Sequence, residues 1–309
     1  VSILVDIAIQ TNVWRVIGVS GMRAQELGNA SLPGLGYLMA FLLLAGGLVF
    51  NIGNISGAGL GMNIMTDMNI QLGAIILSAL AVAIFLSKRA GVAMDRIVVV
   101  LGAVMILLTL YVAITSGPPV GEALRQSVLP DEISALAITT LVGGTIGGYI
   151  IYAGVHRLLD AGVSGPAYLS QLTQGAVTGI LVTGVMRVIL FLAILGVVSA
   201  GHALDPERQA ASAFEAAAGA VGYRLFGVVF AAAALTSVIG VSYTTVTFLT
   251  SRTKTKPRVT NFMVIGFIVV SLVLYLSIGA APAQLLVFAG AFNGILLPVG
   301  IGVMLWVAW

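Results

Sequence analysis

Apolar runs of about 20 residues recur along this chain, separated by short polar segments, and that rhythm admits few folds. A helix needs about 20 apolar residues to cross the hydrocarbon core of a bilayer. Nine candidate spans meet or approach this length: 1–14, 33–54, 70–87, 97–116, 134–155, 172–200, 222–250, 261–281 and 283–309. Alternating polar positions are missing and the apolar runs are too long for strands, so a transmembrane barrel is excluded. With 59% hydrophobic and only 8% charged residues, there is too little polar surface to cover a soluble core. The expected fold class is therefore an all-α, polytopic transmembrane helical bundle forming one domain over 1–309, an integral, multi-pass membrane protein.

The ends are themselves apolar, from Val1–Gln10 to Gly300–Trp309. They read as a chain that has lost sequence on both sides, and a signal peptide cannot be judged from such an N-terminus. The longest stretches outside the membrane are 117–133 and 201–221, and Ala210–Ala220 within the second suits a short interfacial helix.

Loop charge orients the spans. Arg15, Arg23, Lys88, Arg89, Arg96, Arg157, Arg252, Lys254, Lys256 and Arg258 fall on one side, and only Arg125, Arg208 and Arg224 on the other, ten against three. The poor side collects the acids Asp67, Glu122, Asp131, Glu132, Asp205, Glu207 and Glu215. The rich side is therefore cytoplasmic, and the span that starts near Pro33 runs outward.

Several function classes drop out. A net charge of +3, scattered along the chain, makes no nucleic-acid surface. Without cysteine there is no disulfide framework, thiolate zinc site or thiol nucleophile. No Walker glycine loop, His-Glu-x-x-His or aspartate cluster for a magnesium diphosphate is present, and no acid–base constellation lies within the spans. The chain reads as a carrier, not an enzyme, with the lipid bilayer and a small ion or solute as partners and no cofactor. A channel is the further class that a broken helix leaves open. His156 and His202 sit near span ends and are expected to be solvated loop residues.

Two glycine-rich stretches stand out. In Asn51–Asn63, Gly53, Gly57 and Gly61 are four apart, which suits close helix packing. In Gly143–Gly154, the pairs Gly143-Gly144 and Gly147-Gly148 bracket Thr145-Ile146 at mid-membrane, where they weaken a helix. An unwound turn there exposes carbonyls and half-helix ends that can hold an ion or a charged solute group. Polar residues at membrane depth form the second signal: Asn51, Asn54, Asn63, Tyr149, Asn293, Arg187 and Asp6. Each faces a cavity or another polar group. Arg187 is too deep to snorkel, and Asp6 is a partner at matching depth. The candidate translocation set is Gly144, Gly147, Tyr149, Asn51, Asn54, Asn293 and Arg187, with the Gly144 carbonyl as candidate metal ligand.

Four segments resemble the NRAMP family of divalent-metal transporters, which have a LeuT-type inverted-repeat fold. Gln10–Gly21 (QTNVWRVIGVSG) resembles the end of the family's second helix. Gly61–Gly73 (GMNIMTDMNIQLG) resembles the turn after the third. Leu225–Ser237, with its FG and LTS, resembles the eighth, and Gln284–Pro298 the tenth up to its Leu-Pro. The order and spacing of these segments carry the likeness over the whole length. It implies that the visible spans are helices 2 to 10, that 1–116 holds helices 2–5 of the first repeat and 134–309 the second repeat, and that helix 1 lies outside the chain.

The departures from the family matter equally. Where the family's sixth helix has Met-Pro-His, this chain has Gly147-Gly148-Tyr149, so the soft thioether that favours manganese and iron is gone. Asn51 and Asn54 stand where the family has the acids of a proton route. Asn261 stands for an arginine of the ninth helix that partners them, and Gly290 for a glutamine of the tenth. An amide exchanges no proton near neutral pH. The likeness thus implies an NRAMP-like carrier of a divalent cation, Mg2+ or Mn2+, with altered selectivity and weak or no proton coupling. The alternative is a carrier of another small solute, an organic or inorganic anion, with Arg187 as counter-charge. Oligomeric state is not legible.

Overall fold

The structure, a computed structural model, describes residues 2–251 and 255–309, without the side chains of 88–95, 97 and 98. Arg252 and Lys254, which entered the charge count, lie outside the described residues, as do the side chains of Lys88 and Arg89. The described part is helical, with no strand among its residues. In order the helices are α1 (Ser2–Ser20), α2 (Ala24–Ser31), α3 (Leu35–Thr66), α4 (Ile70–Leu86), α5 (Lys88–Thr115), α6 (Val120–Val128), α7 (Ala135–Thr145), α8 (Ile150–Asp160), α9 (Leu169–Ser199), α10 (Gln209–Thr247), α11 (Pro257–Ile278) and α12 (Pro282–Ala308). Seven segments, with Ala135–Asp160 counted as one, are long and apolar enough to span a bilayer. Val99–Thr115 and Val120–Val128, bent by 104°, make an eighth if taken as one broken span. The remaining expected span, α4, has 17 residues, or about 25 Å at 1.5 Å per residue.

Local chemistry explains where the helices start and stop. Asn69 caps α4 by accepting from the Gln71 and Leu72 amides, and Ser134 caps α7 by accepting from Ala137. Pro257 and Pro282 open α11 and α12 in the first turn, where a missing N–H costs nothing. The expected interfacial helix over Ala210–Ala220 is the first arm of α10, set off by a kink at Gly219 (φ 62°, ψ −162°). Its Phe214 is fully buried against Phe226, with ring centroids 4.9 Å apart.

The two faces assigned from loop charge are each internally joined. Arg23 meets Asp160 at 2.9 Å on the positively charged side. On the other, Arg224 meets Asp67 at 2.5 Å and holds that carboxyl below its usual range through the hydrogen bond.

α3 is the central post, packed on α10, α12, α4 and α11. Gly53 faces Leu286 and Ala289, Gly57 faces Phe230, and Gly61 faces the backbone of Ala231. These three glycines serve helix packing, as the four-residue spacing suggests.

Candidate functional site

The span 135–160 is broken at mid-membrane. α7 ends at Thr145 and α8 begins at Ile150, with a turn over Ile146–Tyr149 between them. The Ile146 amide donates to Val142 O at 2.9 Å and the Gly147 amide to Gly143 O at 3.1 Å. Beyond that the ladder stops, and the carbonyls of Gly144, Thr145 and Ile146 receive no backbone hydrogen bond. Gly148 turns the chain with φ +57°, a conformation that costs other residues about 1–2 kcal/mol.

The walls of the break come from α12 and α3. α7 and α12 touch backbone to backbone: a Cβ at Gly143 would collide with the Gly290 carbonyl and the Gly294 amide. Asn293 of α12 is fully buried and donates Nδ2 to Gly46 O and to Ala289 O, each at 3.0 Å. Both partners accept only, so the amide nitrogen must face them and Oδ1 must face the other way. Oδ1 lies against Gly148, where a Cβ would collide with it, and has no hydrogen-bond partner. On the α3 side the Tyr149 ring meets Phe50 edge-on, with centroids 5.4 Å apart. Asn54, four residues after Phe50, shares its helix face. It is 8% exposed, and its Nδ2 has no partner.

Gly144, Gly147, Tyr149 and Asn293 are thus drawn toward one turn, Asn54 lies one helical turn beyond the Phe50 that packs on it, and Asn51 and Arg187 are engaged elsewhere. Asn51 is fully buried and donates to Ser242 Oγ of α10 at 3.1 Å and Ser271 Oγ of α11 at 3.0 Å. Those hydroxyls pass their own protons to Val238 O and Phe267 O. The three bonded side chains of this junction are neutral, and Asn51 Oδ1 is left without a partner. Arg187 reaches Asp6 of α1 at 3.8 Å, with side chains 34% and 3% exposed.

Two expectations are corrected. His156 is no solvated loop residue: it is fully buried, its Nε2 accepting from the Ala24 amide and its Nδ1 facing Thr247 Oγ1 at 2.8 Å. His202 is exposed in a loop, as expected. Asn261 does not face Asn51. It lies exposed in the first turns of α11, and Ser271, about 15 Å further along that helix, makes the contact. Gly147 has no room for a side chain, since a Cβ there would lie 2.9 Å from the Asn293 backbone. Among the described residues, no group of three or more His, Asp or Glu side chains is placed to hold a metal ion.

All 309 residues match one family, the natural resistance-associated macrophage protein-like family, Nramp. The chain belongs to the Nramp family. It is 51% identical over its whole length to an uncharacterized membrane protein of Bacillus subtilis, YcsG, covering 76% of that protein. It is 48% identical to an uncharacterized membrane protein of Haemophilus influenzae, with 100% and 77% of the two chains covered. At the level of the family the protein is a multi-pass divalent-metal transporter of the bilayer. The two asparagines of α3 part company here. Asn51 bonds to serines of α10 and α11, and Asn54 lies one turn along α3 from Phe50, the residue that meets Tyr149.

Proposed function

We propose that the protein carries a hard divalent cation, magnesium or manganese, through the break between α7 and α8, with little or no coupling to protons. The observation that carries this reading is the chemistry of the turn. Three carbonyl oxygens and the oriented Asn293 Oδ1 are hard, neutral oxygen donors, and such donors suit magnesium and manganese better than softer ions. The Gly144 carbonyl is the metal ligand of this set, and Tyr149 closes the α3 side. No thioether stands in the turn to favour a softer ion. The anion alternative is less favoured, because Asp6 lies 3.8 Å from Arg187 and supplies a counter-charge within the protein.

The repeat assignment is part of the same proposal: 1–116 and 134–309 are the two repeats. In support, α1 packs on α9, α3 on α10 and α4 on α11. Those are the pairs that a two-fold axis in the membrane plane would relate.

Two experiments address this reading. Full-length protein in proteoliposomes is expected to move its cation without carrying acid, because Asn51 and its two serines hold no exchangeable charge. Substrate-dependent acidification of the lumen, abolished by a protonophore, would overturn the uncoupled reading. Selectivity should respond to a thioether placed where there is room. Gly144 is exposed, and its nearest outside neighbour is Gly290 Cα at 4.0 Å from a built Cβ. Gly144→Met is therefore expected to shift the manganese-to-magnesium affinity ratio upward by about tenfold. An unchanged ratio in a folded variant would mean that the solute does not pass Gly144.

A further inference from the structure

We propose that Arg23 is the pin of a cytoplasmic latch that holds the inner half-helix α8 against α10, and that the path to the cytoplasm opens only when this latch is released. The proposal does not depend on which solute is carried.

α8 is built to move as a rod. It is 11 residues long and flanked by glycines in the left-handed region, Gly148 (φ +57°) before it and Gly162 (φ +87°) after it. Along its length it is fastened to α1, where Trp14 Nε1 donates to Ile151 O at 2.9 Å and the indole ring lies over Gly154. Phe248, just past α10, packs on Tyr152 and His156 of α8 with ring centroids 5.3 and 5.0 Å apart, and at the cytoplasmic end polar groups complete the connection.

Arg23, in the link between α1 and α2, is only 5% exposed. Its Nη1 donates to Thr247 O at 3.2 Å, Thr250 O at 2.8 Å and Thr250 Oγ1 at 2.9 Å, all at the end of α10. Its Nη2 donates to both oxygens of Asp160, the last residue of α8, at 2.9 and 3.2 Å. Tyr243 of α10 donates to the same carboxylate at 2.5 Å. One planar guanidinium thus bridges the two helices, a task that needs the fork of an arginine rather than the point charge of a lysine.

His156 adds a second bridge one turn back. Thr247 Oγ1 donates to Thr244 O, so the histidine must give its Nδ1 proton to Thr247 and accept the Ala24 amide at Nε2. Gln25 Nε2 also donates to Thr247 O at 2.7 Å. Glu26 accepts from the Arg23 amide at 3.0 Å and from Ser251 Oγ at 2.9 Å. The Arg23 guanidinium and the Ala24 amide thus join α8 to the end of α10, while Gln25 and Glu26 fasten the same link to Thr247 and Ser251. Such an arrangement is either made or broken as a unit, which suits a two-state gate.

Thiol accessibility tests this without any solute. These 309 residues contain no cysteine, so one engineered cysteine reports alone among them. Val155 lies on α8 beside His156 and is fully buried. Val155→Cys in inside-out vesicles is expected to react slowly with a membrane-impermeant maleimide. Adding Arg23→Gln should raise the labelling rate by about tenfold, and Arg23→Lys should fall between the two. Tyr243→Phe, which removes one bond to Asp160 and should fold in any case, is expected to raise it by about threefold. If Arg23→Gln and Tyr243→Phe lower thermal stability but leave labelling unchanged, the cluster is only structural and the latch is refuted.

Discussion

A Gly143→Val protein is expected to lose transport completely and about 2–4 kcal/mol of stability. Gly143 is where α7 lies directly on α12, and a Cβ there would run into the Gly290 carbonyl and the Gly294 amide. Backbone cannot rotate away as a side chain can, so α7 must shift as a whole. The shift would carry the free carbonyls of Gly144 and Thr145 with it. Gly148→Ala should act on the same turn by another route, forcing a left-handed residue at about 1–2 kcal/mol and displacing Asn293 Oδ1. Gly144→Ala is the control, because its built Cβ meets nothing closer than 4.0 Å, and it should fold normally. Thermal unfolding in detergent and uptake into vesicles measure both effects. A stable, active Gly143→Val protein would show that the α7–α12 contact does not shape the translocation turn.

The second large effect belongs to Arg187. It lies 18 residues into the 31-residue α9, about 27 Å from one end and 18 Å from the other. No arginine side chain reaches an interface over that distance, so its charge must be met locally. Asp6 meets it at 3.8 Å. Arg187→Gln leaves a carboxylate that is only 3% exposed without its counter-charge. Breaking a buried pair costs about 3–5 kcal/mol, and because the arginine is itself about a third exposed the expected loss is about 2–4 kcal/mol. Adding Asp6→Asn should recover at least half of it. If instead Arg187→Gln spares folding, abolishes uptake and is not rescued by Asp6→Asn, the residue acts on the solute and the anion alternative returns. A stable and fully active Arg187→Gln protein would refute both roles.

What the sequence made legible follows from which signals are local. Span positions come from hydropathy, which each segment carries by itself, and the break comes from glycine pairs four residues apart. The Asp6–Arg187 pair was legible because two lone charges at matching depth have few other partners. The difference between Asn51 and Asn54 was not, since it depends on Ser242 and Ser271, 191 and 220 residues after Asn51. Ser271 carries no hydropathy signal of its own, so the likeness to the family pointed to Asn261 instead. His156 and Arg23 were hidden for a related reason. A charged or polar residue at a span end reads as solvated until the element that covers it is known. Here the cover is the threonine-rich end of α10, Thr244–Thr250, a run of hydroxyls whose density was the one clue available.

The most direct test of the account is magnesium entry into proteoliposomes that hold the full-length protein, followed with a magnesium-sensitive dye at equal pH on both sides. The account predicts entry that manganese inhibits at a concentration within about tenfold of magnesium's own half-saturation, with no change when a pH gradient is imposed. Absence of any divalent-cation entry, or entry that proceeds only down a proton gradient, would contradict it.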